Sequence, residues 1–178
     1  IFDKINIKKI KKINPKIIFF IHWSKYISSL IYNKYLCIQF HASNLPKGRG
    51  GSPIQNQILK NIKKTKISAF KVSKKLDAGP ICSQENLSLE GNAFKILNRL
   101  EIKCLKIIKK IIKTKNLKFR KQKGVATYFR RRTPLDSEIV FQKIKSTKKL
   151  YDFLRMLDAP GYPKAFIKLN KFKLTFDN

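Results

Sequence analysis

His41 opens the run HASNLPKGRGGSPIQ, and Asp77 sits downstream in LDAGP. An imidazole and a carboxylate brought together by a fold can divide proton transfer, the histidine as donor and the acid as acceptor. A lone histidine is more often structural than catalytic, because histidine is commonly half-buried. The neighbouring loop shifts that weighting. Lys47-Gly48-Arg49-Gly50-Gly51 brings two cations and flexible backbone to a helix start, where free N–H groups favour an anion. It matches neither the Walker pattern nor a GxGxxG fingerprint, and a turn needing positive φ accounts for its glycines without any ligand. Read with Asp77, the loop points to a site that moves an acyl group.

The elements that must position these residues alternate strand and helix. Lys16 to Ile21 follows Asn14-Pro15 and reads as a short buried strand. Ser24 to Tyr35, apolar at 27, 30, 31 and 35, reads as a helix, and Leu36 to Phe40 is a second strand that delivers His41. Ser52-Pro53-Ile54-Gln55 has the form of a capped helix start, with Ser52 as N-cap and Gln55 closing a capping box, and the helix runs to about Ile62. Thr65 to Ser73 and Ile81 to Leu89 flank the LDAGP loop as strands. Asn92 to about Thr114 sets Phe94, Leu97, Leu100, Cys104, Ile108 and Ile111 on one stripe of a long amphipathic helix. Shorter pieces follow: a strand at 127–130, a helix at 147–157 and a hairpin over 165–176 turning at Asn170-Lys171. The pattern predicts an α/β fold, a Rossmann-like and mostly parallel sheet flanked by helices, and ligands in such sheets bind beyond the carboxyl ends of strands. Residues 1–126 read as the core and 127–178 as a β-rich extension packed on it.

Forty-one Lys and Arg against ten Asp and Glu give a net charge of +31, enough to attract nucleic acid, anionic lipid or phosphorylated ligands. Lysine is spread along the whole chain and travels with Ile and Asn, all encoded by AT-rich codons. Nucleotide bias therefore accounts for the charge without a selected partner, whereas a nucleic-acid binder concentrates its cations on one face. The Arg130-Arg131-Arg132 run reads first as a solvated face and second as a contact for a nucleotide diphosphate. Cys37, Cys82 and Cys104 are an odd number without CxxC spacing, which argues against a disulfide framework and a metal site. The longest apolar run, Ile17 to Ile21, is far short of the ~20 residues that span a bilayer, so a soluble, cytoplasmic protein without membrane insertion is expected. The chain opens on Ile1 and its single methionine is Met156, which suggests a missing N-terminal piece.

The segments FHASNLPKGRGGSPIQ, TKISAFKVSKKLDAGPI, LSLEG, YFRRRTPLDSEI and LRMLDAPGYPKAF, taken in order, resemble the formyltransferases that use 10-formyltetrahydrofolate. The resemblance runs from about Asn14 to Phe176. It implies a catalytic set of Asn-x-His with a distant Asp, which falls on His41 and Asp77 and leaves Gln39 at the asparagine position. It further implies that 10-formyltetrahydrofolate is bound by His22, Trp23 and Ser24 and by Leu76, Ala78 and Gly79 of the LDAGP loop. Arg49, Gly50, Gly51 and Ser52 would then contact the acceptor. Trp23 reads equally as a half-buried surface ring.

RRRTPLDSE and DAPGYPKAF incline the resemblance toward sugar N-formyltransferases, so the expected acceptor is the amine of a nucleotide-linked amino sugar. Methionyl-tRNA formyltransferase, which adds a barrel domain after the catalytic one, is the alternative, as is a formyltetrahydrofolate hydrolase. A non-catalytic basic nucleic-acid-binding protein is the alternative of another class. Transfer RNA is the nucleic acid to consider, and a homodimer is left open. The family begins with a further strand and helix, so an N-terminally truncated sheet is expected.

Overall fold

The computed structural model describes residues 6–176. Helix α1 (Ile7–Ile13) ends on Asn14 in the left-handed conformation and leads into strand β1 (Ile17–Phe20). Helix α2 spans only Ser29–Tyr32, not Ser24 to Tyr35. The reason is local: the Ser28 hydroxyl accepts from the Leu30 N–H and caps the helix there, while the Lys34 and Tyr35 N–H groups close back on the Ile31 carbonyl. Ile27 and Ile31 are buried and Leu30 is exposed, so the apolar spacing that suggested a longer helix is shared between an extended segment and one turn.

Strand β2 (Leu36–His41) pairs parallel with β1, and strands β4 (Lys64–Lys71) and β5 (Ile81–Ser88) continue the sheet in the order β1-β2-β4-β5. The α/β class is as expected, and the sheet is mixed. The expected parallel arrangement holds for β1 and β2, whereas β2–β4 and β4–β5 are antiparallel. Sequence periodicity reports which residues are buried, not strand direction, and the antiparallel turn between β4 and β5 is the LDAGP loop itself.

Between β2 and β4 lie a two-residue strand β3 (Arg49–Gly50) and helix α3 (Pro53–Leu59). The expected capping box does not form. Ser52 has a φ of 48° and its hydroxyl instead accepts from the Arg132 N–H at 3.1 Å. That bond commits Ser52 to the later chain.

Helix α4 (Ala93–Lys113) is capped by Asn92, whose side chain accepts from the Lys95 N–H. Its buried stripe is Ala93, Ile96, Leu100, Cys104, Ile107 and Ile111, with Leu97 and Ile108 half-buried and Phe94 46% exposed. The helix is as predicted, but the face is rotated by about one position, because a broad apolar arc does not reveal which of its edges meets the sheet. This face covers one side of β2, β4 and β5 in a core that also takes in Ile54, Ile58, Met156 and Leu157. A smaller cluster on the β1–α2 side joins Phe20, Ile27, Ile31, Tyr35, Cys37 and Val72.

Strand β6 (Tyr128–Phe129) pairs parallel with β3. Helix α5 (Thr147–Arg155) and the hairpin of strands β7 (Phe166–Leu169) and β8 (Phe172–Thr175) follow, and the hairpin turns through a left-handed Asn170 as expected. Arg155 ties α5 down by donating to the Leu89 and Gly91 carbonyls at 2.7 Å each. No helix among the described residues is long and apolar enough to cross a membrane. Cys37 and Cys104 are buried, and burial pushes their thiols up to about 11 and about 12, which makes them inert core residues at neutral pH.

Candidate active site

His41 is the last residue of β2, on the same face as Gln39 because side chains two apart in a strand point the same way. It is 7% exposed, and its Nε2 lies 2.7 Å from the Gly48 carbonyl oxygen. A carbonyl only accepts, so Nε2 carries the hydrogen of that bond. Nδ1 is left facing Asp77, 3.6 Å from its Oδ2. That separation is too long for a hydrogen bond and short enough for a charge pair or a bridging proton carrier.

Asp77 is 5% exposed and sits at a φ of 48°, in the left-handed region that Asp tolerates better than most residues. The same Oδ2 accepts from the Gly50 N–H at 2.8 Å. The glycine loop and the acid loop are therefore joined by a charge-assisted bond beside the histidine. Gly79 sits where it does because a Cβ there would lie 1.7 Å from the Lys71 carbonyl oxygen, so the LDAGP turn packs directly on the end of β4.

The glycine loop is held by the segment around β6. The Gly48 N–H donates to Thr127 Oγ1 at 2.8 Å, the Arg49 N–H to the Thr127 carbonyl at 2.9 Å and the Gly51 N–H to the Phe129 carbonyl at 3.1 Å. Gly50, at a φ of 98°, has no room for a Cβ, which would meet the Phe129 carbonyl oxygen at 2.5 Å. The glycines thus allow a close approach of two strands. Arg49 points along this seam: Nη2 donates to Gln122 Oε1 at 2.7 Å and Nη1 to the Tyr128 hydroxyl at 3.2 Å.

A cleft of about 770 Å³ opens over these groups, within the range of small-molecule sites. His22, Trp23 and Ser24 line one side, Gln39 and His41 the floor, and Leu76 and Asp77 a second wall. Gly50, Gly51 and Ser52 line the third side, together with Gln55, Arg131 and Tyr162. Of the residues expected at the site, Arg49, Ala78 and Gly79 are not on this lining, and the first and last of these serve packing instead. Gln39 Nε2 donates to the Trp23 carbonyl at 3.5 Å. Trp23 packs edge-on against Phe20, and its Nε1 is enclosed without a hydrogen-bond partner among the described residues. His22 stands 3.7 Å from Glu101, and desolvation lowers its pKa against the pull of that carboxylate.

Two groups had no signal in the sequence. Gln122 lies in a lysine-rich stretch without periodicity, and Tyr162, whose phenol burial pushes up, comes from the far end of the chain. The RRR run divides its work. Arg130 and Arg132 both bond Asp136, and the Arg132 guanidinium stands 5.7 Å from the centre of the Phe153 ring, whereas Arg131 faces the cleft.

Two family models match the chain: "Formyl transferase" over residues 1–95 and "Methionyl-tRNA formyltransferase, C-terminal domain" over residues 134–178. A methionyl-tRNA formyltransferase of Sulfurihydrogenibium sp. is 29% identical over 170 residues, covering 91% of this chain and 53% of its own length. The chain spans about half the length of the curated relatives it matches first. Among solved structures, a methionyl-tRNA formyltransferase from Clostridium thermocellum is 45% identical with a TM-score of 0.91, over 97% of this chain and 75% of that one. A 4-N formyltransferase from Francisella tularensis shares the fold at a TM-score of 0.78 and 20% identity, over the same shares of the two chains.

Proposed function

Because the chain belongs to the formyl transferase family, we propose that it moves a formyl group from 10-formyltetrahydrofolate to the amine of methionyl-tRNA, with His41 and Asp77 as its catalytic pair. The observation that carries the acceptor is the 45% identity to a methionyl-tRNA formyltransferase, against 20% for the 4-N formyltransferase, whose likeness speaks for the fold. Two of the three arginines that favoured a nucleotide-linked amino sugar are engaged with Asp136, which weakens that expectation.

The cleft fits the formyl donor. Trp23 and Leu76 bring aromatic and apolar surface to the cleft, and His22 and Ser24 bring polar groups beside them. The donor supplies an activated formyl carbon. His41 and Gln39 are placed on the strand floor to stabilise negative charge on the formyl oxygen, and one such hydrogen-bond donor in a dry site is worth about 3 kcal/mol. Since the Nε2 hydrogen is engaged with the Gly48 carbonyl, the ring nitrogen of His41 that meets the reacting group is Nδ1, which donates to the developing oxyanion in the doubly protonated ring, with the Asp77 carboxylate beside it. As the amine–formyl C–N bond forms and the bond from the formyl carbon to the donor's nitrogen breaks, Asp77 takes the proton that the attacking amine loses, directly or through water, and the departing tetrahydrofolate nitrogen receives a proton in turn; the Gly50 N–H holds the carboxylate oriented for this. Gly51, Ser52, Arg131 and Tyr162 form the acceptor side.

The test is to supply the full chain with 10-formyltetrahydrofolate and, separately, methionyl-tRNA or a panel of nucleotide-linked amino sugars, following formyl incorporation by mass. Transfer to methionyl-tRNA is expected. Transfer to a sugar alone would move the acceptor back to the amino sugar, and donor hydrolysis without any transfer would make the protein a hydrolase. Salt-dependent RNA binding with the donor left intact would make it a non-catalytic binder.

A further inference from the structure

Gln122 makes a closed circuit with the two loops of the site. Its Nε2 donates to the Asp77 carbonyl at 2.8 Å and to the Gly79 carbonyl at 2.9 Å, one on each side of the Asp77-Ala78-Gly79 turn. Its Oε1 accepts from Arg49 Nη2 at 2.7 Å and Nε at 3.3 Å. The residue after Arg49 is Gly50, whose N–H donates to the Asp77 carboxylate at 2.8 Å. One carboxamide therefore fixes the backbone of the acid and the loop that holds its side chain. The flanking chain supports it, since Arg120 pairs with Ile81 through both its N–H and its carbonyl, and Thr127 pairs with Arg49.

We propose that Gln122 is a positioning residue for Asp77, setting the direction of its carboxylate toward His41. Asp77 is held at a positive φ, which Asp tolerates better than most residues but which is only one of the conformations open to it, so its neighbours decide whether the turn keeps it. Both carbonyls that define this turn are acceptors for Gln122, and no glycine at position 77 relieves the backbone. Free of Gln122, the turn can rotate about the Asp77 backbone, carrying Oδ2 away from Gly50 and from Nδ1 of His41. Glutamine suits the task because a carboxamide presents two donors to the carbonyls and an acceptor to the guanidinium in one plane. A carboxylate keeps the contact with Arg49 and has no hydrogen for the two carbonyls.

This inference rests on the proposed formyl transfer, and Gln122→Ala and the isosteric Gln122→Glu in the full chain test it with two readouts. Both variants are expected to lose about 100-fold in kcat, the scale of a 1 Å misplacement of a reacting group, with the KM of donor and acceptor little changed. In both, the amide proton of Gly50, which reports its bond to the Asp77 carboxylate, is expected to move upfield and to exchange faster with solvent. A kcat within about threefold of wild type in Gln122→Glu overturns the proposal. If the wild-type chain transfers no formyl group, the functional reading fails on its own, and the Gly50 amide then decides: an unchanged resonance in both variants overturns the role of Gln122.

Discussion

Asp77→Asn separates chemistry from structure more cleanly than any other change at the site, because the side chains are nearly the same shape. The Asp77 carboxylate has two partners within reach, the Gly50 N–H at 2.8 Å and His41 Nδ1 at 3.6 Å. A hydrogen bond to a charged group contributes about 1.5–3 kcal/mol and one to a neutral amide about 1 kcal/mol, so neutralising the acceptor costs about 1 kcal/mol of stability. For a chain of this length that lowers Tm by about 2–4 °C. The loss in activity is of another order. An amide cannot take the proton of the attacking amine, and removal of a positioned base costs about 10²–10⁴-fold in rate. Single-turnover formyl transfer at saturating donor, with thermal unfolding measured on the same samples, checks both numbers. A variant retaining more than about a tenth of the wild-type rate refutes the assignment of Asp77, since base removal predicts at least about 10²-fold. A Tm fall well beyond about 4 °C refutes the claim that the carboxylate is mainly chemical.

Gln39 offers a second, opposite test. Gln39→Asn shortens a side chain that makes a long, 3.5 Å bond to the Trp23 carbonyl, and restores the residue implied by the family resemblance, so kcat should stay within about threefold, whereas Gln39→Leu removes the donor and should cost about 10²-fold. Gly79→Ala pushes a Cβ against the Lys71 carbonyl, backbone against backbone, and should destabilise by about 3 kcal/mol in urea unfolding; a loss below about 1 kcal/mol would show that the loop yields. Burial alone raises the Asp152 carboxyl, and the bonds from Lys148 at 2.8 Å and Arg155 at 2.7 Å outweigh it, leaving the group below its ordinary value. A depressed folded pKa stabilises above the unfolded value of about 3.9, and that contribution is lost as pH falls through the folded pKa. Asp152→Asn should therefore be less stable than wild type at neutral pH, with the gap closing in acid; a gap independent of pH would refute the pairing.

What the sequence made legible follows from the range of each signal. Asn92 as a cap and the 3.6-residue period of α4 are local, so the helix was found within a residue at each end, yet its facing was not, because Phe94 and Ala93 are both apolar and only the sheet chooses between them. Strand direction is a long-range property, which is why β4 and β5 were found as strands and not as antiparallel ones. The same division runs through the site. His41 and Asp77 stand in loops with recognisable punctuation, and the fold brings them within 3.6 Å. The residue that joins those loops, Gln122, lies 45 residues beyond Asp77 in a stretch with no period, and nothing local marks it.

The glycine loop is where distance in sequence matters most. Its composition suggests a cradle for an anion, since glycines next to cations at a helix start commonly serve that purpose. In the fold, Gly50 and Gly51 are small because Phe129 and Arg131 cross them, Arg49 is spent on Gln122 and Tyr128, and Ser52 bonds Arg132. The one donor the loop turns toward the acid is the Gly50 N–H, and its partner is the chain's own carboxylate. A loop rich in glycine and charge can thus be built to receive an internal anion, and the test of which it receives is whether its N–H groups are already bonded.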